Sequence, residues 1–497
     1  MCISRRNESL NVAGTMRRGV CLAGCALLCA FSACTMGPNF DAPPAPRAER
    51  IEHGEPVADV MDAAGAAQRF SNDATLSRDW WTTFGSAAVD RAVTDALVAN
   101  PTLASAQAAL RESEDDMRAG AGVFYPQIDA SFGASRQKYS PLRVGSGQPP
   151  VIFNLFTLSA QVSYALDIWG GERRSLEALR AQTDAQRHAL AAAYLTLSAN
   201  VVNTMIAYAA YGDEIAATRE MIALVGEQVS VTHSQFTAGV AAYSAVLTLE
   251  NEKATLEATV PALEQRREQA GNLLAALSGS MPSQWIAPEV SLENIVLPAV
   301  LPRAVSSELV RQRPDIRQAE AALHVASARI GVATANLFPS VTLTAGGGYG
   351  NRSMNALLSQ TGQAWSAAAD VTAPLFHGGT LWFERRAAID AYDQARAVYD
   401  QVVLAAFEQV ADTLRALEND AHTLDADARA LATSEEALRL VQAEYEAGTV
   451  GYLSILVADA QRHQARIAWL QGVAQRLQDT VALYAALGGG WYGNADG

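Results

Sequence analysis

Cysteine and histidine are the residue types with the most recognisable chemistry, and here their positions exclude more than they predict. The five cysteines lie at positions 2, 21, 25, 29 and 34, and none follows Cys34. A disulfide framework and a thiolate zinc site are therefore excluded from the folded part of the chain. The seven histidines form no His-x-x-x-His pair, and no Gly-x-Ser-x-Gly elbow or phosphate-binding loop occurs. We therefore expect no enzyme activity, no bound metal and no cofactor.

The first 33 residues have the features of a secretory signal peptide. Two arginines precede an apolar stretch from residue 19 to residue 33, which is shorter than the ~20 residues that cross a bilayer. The four residues from Phe31 to Cys34 then resemble a lipobox. Cleavage there would leave Cys34 as a lipidated N-terminus with an S-diacylglycerol and an N-acyl chain, and two or more chains anchor a protein stably. The alternative is cleavage at a nearby small residue, which leaves Cys34 unmodified. The true start could also be Met16 instead of Met1.

The composition is that of a folded, acidic chain. Of its 497 residues, 49% are hydrophobic and 18% are charged, which excludes intrinsic disorder. The formal net charge of −15 argues against nucleic acid as a partner. The length allows about three compact domains or one extended architecture.

The sequence repeats one pattern twice, and the copies lie 213 residues apart where Asn100-Pro101 corresponds to Arg313-Pro314. Each copy predicts a helix of about 30 residues that leads to a proline, two short strands, a helix of about 65 residues and, after a glycine, one of about 36 residues. A cluster of prolines from 282 to 302 marks the linker. Chance similarity between helical stretches is the alternative to a tandem repeat.

Four segments alternate between apolar and polar residues, which predicts strands. They span residues 127–135, 156–168, 340–349 and 365–375. Apolar-out, polar-in alternation suits a water-filled barrel in lipid, although a soluble half-buried sheet has the same period. In lipid, each unpaired N–H or C=O at a strand edge costs several kcal/mol, and single-chain barrels begin at about eight strands. Four strands would therefore belong to a shared barrel, and a trimer would supply twelve.

The rest of the sequence favours long helices. A helix from about residue 171 to residue 238 would be ~100 Å long. Two stripes of apolar residues have coiled-coil spacing, although the core of an ordinary bundle would look the same. Gly239 and Gly448 are expected at hairpin turns, because reversal needs a residue that tolerates positive φ. The stripes comprise Ile215, Ile222, Val225, Val229 and Phe236, and Leu424, Leu431, Leu438, Val441 and Tyr445.

Six short motifs carry a family resemblance. They are CTMGP from Cys34, WWTTF from Trp80, DIWGG from Asp167, RPDI from Arg313, NLFPS from Asn336 and LGGGW from Leu487. Together they resemble TolC-type outer-membrane efflux proteins, specifically the lipoprotein (NodT-like) subfamily that serves resistance–nodulation–division pumps. The resemblance implies a mostly helical homotrimer, with a twelve-stranded barrel in the outer membrane continuous with a long periplasmic helical barrel. It also implies a belt made from the N-terminal segment, the linker and the C-terminal tail.

The implied domain organisation follows the two copies. It comprises a signal peptide (1–33), an N-terminal anchor and equatorial segment (34–79), a first repeat (80–279), a linker (280–304), a second repeat (305–489) and a tail (490–497).

In this family, the second helical hairpin closes the periplasmic end of the tunnel. The resemblance therefore makes four residues gate candidates: Tyr452, Leu453, Leu456 and Asp459. An aromatic ring and apolar leucines could form a plug that resists wetting. The alternative is that these residues pack the hairpin, and the direction in which Asp459 points is left open.

The resemblance implies a passive exit duct, lipid-anchored in the outer membrane with a large periplasmic part. It would pass drugs or other small toxic compounds from an inner-membrane pump and a periplasmic adaptor to the exterior. Outer-membrane lipid would be a further partner. Two alternatives are the exit duct of a protein-secretion system and a lipid-anchored coiled-coil scaffold without a pore.

Overall fold

The computed structural model describes residues 35–44, 60–63, 66–71, 76–140, 149–302 and 312–490. The predicted signal peptide, Cys34 and the tail beyond residue 490 lie outside the described residues. The chain divides into two compact units. The described part of the first unit comprises residues 35–42, 111–140, 149–184 and 320–398, and the second unit comprises the others.

Helices account for most of the described residues, as the sequence predicts. The helices are α1 (Ala87–Ala99), α2 (Pro101–Gly120), α3 (Gly171–Thr237), α4 (Tyr243–Leu277), α5 (Pro314–Ala335), α6 (Thr380–Glu446) and α7 (Tyr452–Ala486). The strands are β1 (Val60–Ala63), β2 (Ala66–Ser71), β3 (Gln127–Tyr139), β4 (Val151–Leu166), β5 (Val300–Pro302), β6 (Ser340–Asn351) and β7 (Gln363–Thr372).

The order of elements recurs, since α2-β3-β4-α3-α4 is followed by α5-β6-β7-α6-α7. Helices α3 and α6 have 67 residues each, and α4 and α7 have 35 each. The predicted helix over 171–238 is therefore confirmed. Helices α2 and α5, with 20 and 22 residues, are shorter than predicted. They start at Pro101 and Pro314 because a proline suits the first helical position, where its missing N–H costs nothing.

The first unit contains a four-stranded sheet. Its strand order is β3-β4-β6-β7 and every neighbouring pair is antiparallel. Gly348 shows how closely the strands approach, because a Cβ there would lie 2.3 Å from the carbonyl oxygen of Leu158. Strand β7 is exposed along all ten residues. Within the described residues, β3 and β7 each have a ladder partner on one side.

The strands extend beyond the predicted segments at the end of β3, the start of β4, the end of β6 and the start of β7, whereas β4 and β7 end earlier than predicted. Strand β4 ends at Leu166, so Ile168 lies beyond it, because the Asp167 carboxylate accepts the amides of Glu172 and Arg173 and starts α3. Strand β7 ends at Thr372, two residues before Pro374, which has no N–H for the ladder. Alternation of side chains continues past both ends in the sequence, so periodicity alone overextended the strands.

The second unit contains a small sheet and the main hydrophobic core. Strand β2 pairs antiparallel with β1 and parallel with β5, so the N-terminal segment meets the inter-repeat linker. The WWTTF motif forms a short 3₁₀ helix (Trp80–Phe84), and its Trp80 stacks on Tyr484 with ring centroids 5.3 Å apart. Trp80 and Phe84 are almost fully buried. Removing these large aromatic rings from water stabilises the fold, which explains why the motif lies in the core.

The predicted apolar stripes lie largely on packed faces. Among them, Ile215, Val225, Leu424 and Leu438 are buried. Phe236, near the end of α3, is 39% exposed. The spacing therefore identified the packed face of each helix within the chain.

Candidate functional site

The candidate site is the hairpin of α6 and α7, and its turn depends on a glycine. Gly448 has a φ of 74°, and a Cβ there would meet nothing within 4 Å. The amide of Thr449 donates to the carbonyl of Glu444 at 3.0 Å, which satisfies a carbonyl that the helix end leaves unpaired. Gly239 follows α3 with a φ of 76°. Both glycines adopt the left-handed conformation that a helix reversal requires.

Tyr452 is the first residue of α7, and its side chain packs against residues of α6 and of α3. Its ring lies 5.6 Å from that of Tyr445 in an edge-to-face arrangement. It also contacts two buried clusters, one that contains Val225 and one that contains Leu438. Among the described residues its hydroxyl has no hydrogen-bond partner. Burial, with the nearby charge of Asp459, raises the pKa of this phenol above its ordinary value, so Tyr452 acts as a neutral side chain.

The two leucines among the gate candidates lie in different environments. Leu456 is buried, and it packs with Met221 of α3 and Leu249 of α4. Leu453 is 65% exposed. Leu453 is therefore the candidate whose apolar side chain points away from the core of the chain.

Asp459 lies on the packed face of α7, which answers the question that the sequence left open. It is 3% exposed, and its Oδ2 accepts a hydrogen bond from Nε2 of Gln228 on α3 at 3.0 Å. Burial raises the pKa of the carboxyl, while Gln228 and the charge of Arg462 oppose the rise. In this conformation Asp459 does not present a carboxylate at the surface of the chain.

Arg174, which no sequence pattern singled out, holds the N-terminal segment within the first unit. This arginine is 4% exposed; its Nε donates to the carbonyl of Met36 at 3.2 Å and its Nη2 to Oδ1 of Asn39 at 2.7 Å. Its Nη1 donates to Glu177 at 2.7 Å, and the other oxygen of Glu177 contacts His324 at 2.8 Å. An arginine in the first turn of a helix gives no sequence signal of this role. These contacts fix the residues that follow the candidate lipidation site.

Arg476, which no sequence pattern singled out either, joins three segments of the second unit. It is fully buried on α7, its Nε donates to Oε1 of Gln68 at 2.7 Å, and its Nη1 donates to the carbonyl of Leu417. Gln68 in turn donates to the carbonyl of Pro298 at 3.0 Å. The N-terminal strand β2, the linker and the α6–α7 pair therefore share one polar cluster.

No group of three or more His, Cys, Asp or Glu side chains in the described ranges is arranged to hold a metal ion. The polar groups of the hairpin instead bind each other, as Gln228 and Asp459 do. The contacts of the hairpin that the structure shows are apolar packing and hydrogen bonds.

Comparison with known proteins identifies the family. The sequence profile described as outer membrane efflux protein matches residues 92–280 and 305–489. The chain belongs to this family. The outer membrane protein OprJ of Pseudomonas aeruginosa is 30% identical over 477 residues, which cover 94% of this chain and 95% of OprJ. The pyoverdine export outer membrane protein OpmQ of the same species is 28% identical over 433 residues, covering 86% of this chain and 90% of OpmQ.

The fold of this outer membrane efflux protein is also that of a solved channel. The outer-membrane channel OprN superposes with a TM-score of 0.82 at 27% identity, covering 92% of this chain and all of OprN. The resemblance to TolC-type outer-membrane efflux proteins that the six motifs carried is therefore confirmed. The family consists of outer-membrane channel proteins.

Proposed function

We propose that this outer membrane efflux protein is the exit duct of a tripartite efflux pump. Drugs or other small toxic compounds would pass through it passively, from an inner-membrane resistance–nodulation–division pump and a periplasmic adaptor to the exterior. The observation that carries the proposal is the open four-stranded sheet attached in sequence to two 67-residue helices. A four-stranded sheet cannot close on itself into a barrel. Helices of this length are longer than a compact domain needs.

The need to pair the two free edges of the sheet supports a homotrimer in the outer membrane. Edge strands β3 and β7 carry rows of backbone groups that lipid cannot satisfy, and each would pair with the neighbouring copy. Three copies would give twelve strands, which is within the range of outer-membrane barrels. Exposed apolar side chains on the strands, such as Ile128 and Val371, suit a lipid-facing surface. The recurring element order supports a tandem repeat with the boundaries 80–279 and 305–489.

The lipid anchor of the proposed duct would be Cys34. Its acyl chains would each add ~0.8 kcal/mol of membrane affinity per buried CH₂. Replacing Cys34 with serine is expected to abolish labelling of the mature protein by a radioactive fatty acid, since serine offers no thiol. The matched Cys29→Ser variant, within the signal peptide, is expected to keep the label. Retained label in the Cys34 variant would contradict the anchor.

The gate of the proposed duct would lie at the α6–α7 hairpin, with Leu453 as its exposed apolar side chain. Tyr452, Leu456 and Asp459 would hold that hairpin in position through their contacts within the chain. Leu453→Ser is expected to raise the conductance of the protein in planar bilayers, because a small polar side chain lowers the barrier to wetting. The control is Val240→Ser on the other hairpin, where the valine is 79% exposed. Equal conductance changes in the two variants would rule out the gate.

Two measurements test the exit duct itself. The purified protein should conduct ions in planar bilayers, and loss of the gene should raise sensitivity to several toxic compounds where the cognate pump is present. A coiled-coil scaffold without a pore would give no conductance. The exit duct of a protein-secretion system would conduct, but its loss would retain an exported protein in the cell and leave compound sensitivity unchanged.

A further inference from the structure

Two strand pairings of the four-stranded sheet have the same register. Strand β3 pairs with β4 so that Gln127 lies opposite Ser163. Strand β6 pairs with β7 so that Ser340 lies opposite Thr372. Ser340 follows Gln127 by 213 residues, and Thr372 follows Ser163 by 209 residues. Helices α3 and α6 also begin 209 residues apart, so these two displacements relate one half of the sheet and its helix to the other half.

The third pairing, β4 with β6, has no second version among the described residues. The two displacements carry β6 back to β3 and β4 forward to β7, and these are the edge strands of the sheet. Three strand spacings of ~4.8 Å separate the two edges, so one chain cannot pair them. The second version of this pairing can therefore form only between β7 of one copy and β3 of another. Because the two edges differ, the contact is head-to-tail, which closes into a ring.

The displacements also specify the register of this contact. In the β4–β6 pairing, Ala160 lies opposite Gly347. The equivalent residues are Ala369 of one copy and Ala134 of the next. A register shifted by one residue would bring apolar faces against polar ones. In the specified register the neighbours of the two alanines on the same face are both exposed and apolar; these are Val371 and Phe132.

The turn before α6 carries an exposed ring beside this edge. Gly170 and Gly379 precede α3 and α6 with φ values of 78° and 87°. Thr35 of the N-terminal segment lies against Gly170, whereas Phe383 of α6 lies 3.3 Å from the Cβ position of Gly379. Phe383 is 62% exposed. An aromatic ring of α6 thus takes the place that the N-terminal segment has at the first turn, and most of its surface is uncovered in the single chain.

A contact inside the chain indicates which residue covers that ring. A Cβ at Gly331 of α5 would lie 2.7 Å from Cγ of Arg174 on α3. The same displacements carry Arg174 to Phe383 and Gly331 to Arg118, in the last turn of α2. The Arg118 side chain is 67% exposed and pairs with Asp115 at 2.8 Å. Its guanidinium can remain in that pair and still lie over an aromatic ring, which adds a cation–π attraction.

We infer that strand β7 and the turn that leads to Phe383 form the docking site for a second copy of the chain. The β3 strand of that copy pairs with β7 so that its Ala134 lies opposite Ala369, and its Arg118 covers Phe383. The inference rests on the proposed exit duct, because it names the contacts by which the copies would share one barrel.

Disulfide cross-linking of the full-length protein in the outer membrane tests the register. The pair Ala134→Cys with Ala369→Cys is expected to give dimers and trimers on gels that reductant dissolves, because opposed Cα atoms lie ~4.5–5.5 Å apart, within reach of a disulfide. The matched controls combine Ala369→Cys with Phe132→Cys or with Arg136→Cys. Their Cα atoms would lie ~7–8 Å apart, so they should link at least tenfold less. Each single-cysteine variant should give no link.

A double-mutant cycle tests the contact of Arg118 with Phe383. Arg118→Ala and Phe383→Ala should each lower the temperature at which the oligomer dissociates in detergent, and the double variant should fall by less than the two shifts together. The control combines Arg118→Ala with Trp365→Ala, an exposed aromatic residue near the other end of β7. Effects of those two distant residues should add. Additive effects of Arg118→Ala and Phe383→Ala would overturn the contact.

The outcomes separate this docking site from the duct itself. Cross-links in a shifted pair, or none in a protein with the mass of three copies, would overturn the proposed register and leave a shared barrel in place. Absence of links in every pair, together with the mass of a single copy in detergent, would count against the shared barrel and therefore against the proposed duct.

Discussion

Replacing Arg476 with methionine is expected to destabilise the second unit by about 1–3 kcal/mol, the usual cost of leaving a buried hydrogen-bonding group without its partner. Methionine can fill the space of the arginine stem. It cannot donate to Oε1 of Gln68 or to the carbonyl of Leu417, which both accept hydrogen bonds from the guanidinium. The Oε1 of Gln68 would stay buried without this donor, and the carbonyl of Leu417, inside α6, would lose the bond from the guanidinium.

Thermal unfolding followed by circular dichroism in detergent measures the effect of this substitution. The matched control is Arg429→Met on α6, where the arginine side chain is 74% exposed and pairs with Asp425 at 3.2 Å. A surface pair of this kind contributes little, so the control should lie within about 0.5 kcal/mol of the wild type. Equal melting temperatures for the two variants would show that the buried guanidinium is not a main support of the second unit.

Replacing Gly37 with alanine is expected to release the N-terminal segment of the first unit. Gly37 has a φ of 88°, and a Cβ there would lie 2.4 Å from the Cα of Gly331. Neither backbone can move aside easily, because Gly331 lies within helix α5 and its own Cβ position is filled by Arg174. The amide of Met36, which donates to the carbonyl of Trp169 at 2.9 Å, would lose this partner. Positive φ and the contact with backbone both act against alanine.

Hydrogen–deuterium exchange of the peptide that covers residues 35–44 measures this release. Exchange should accelerate by about tenfold or more, since a loss of 1.4 kcal/mol changes an opening equilibrium tenfold. The control is Gly122→Ala, because a Cβ at Gly122 would meet nothing within 4 Å. Unchanged exchange in the Gly37 variant would mean that the segment is held by contacts other than this close approach.

Much of the fold follows from local periodicity in the sequence. The helix predicted over 171–238 is observed as Gly171–Thr237, and the turn glycines Gly239 and Gly448 have the positive φ that reversal requires. Local patterns succeed here because side chains three or four residues apart share a helix face and alternate residues share a strand face. The same logic failed at the ends of β4 and β7, where an N-terminal helix cap and a proline end the strands although the alternation continues.

At the candidate site, the sequence did not determine which residues are exposed and which are buried. The sequence proposed Tyr452, Leu453, Leu456 and Asp459 as one gate. The structure exposes Leu453 and buries Leu456 and Asp459. Successive residues of an α-helix are rotated by about 100° around the helix axis. A small difference in the rotation of α7 therefore decides which of them faces outward, and hydropathy alone does not fix that rotation.

The sequence by itself determined the family, the element order and the length of the long helices, since these depend on motifs and on neighbours along the chain. Only the tertiary structure decided which polar side chains meet. Arg476 reaches Gln68, Gln228 reaches Asp459, and β2 lies parallel to β5. The physical reason is that these contacts join segments far apart in the chain, so they depend on helix rotation and strand register. The sequence alone does not show whether an arginine or aspartate side chain is exposed to solvent or hydrogen-bonded to a buried partner.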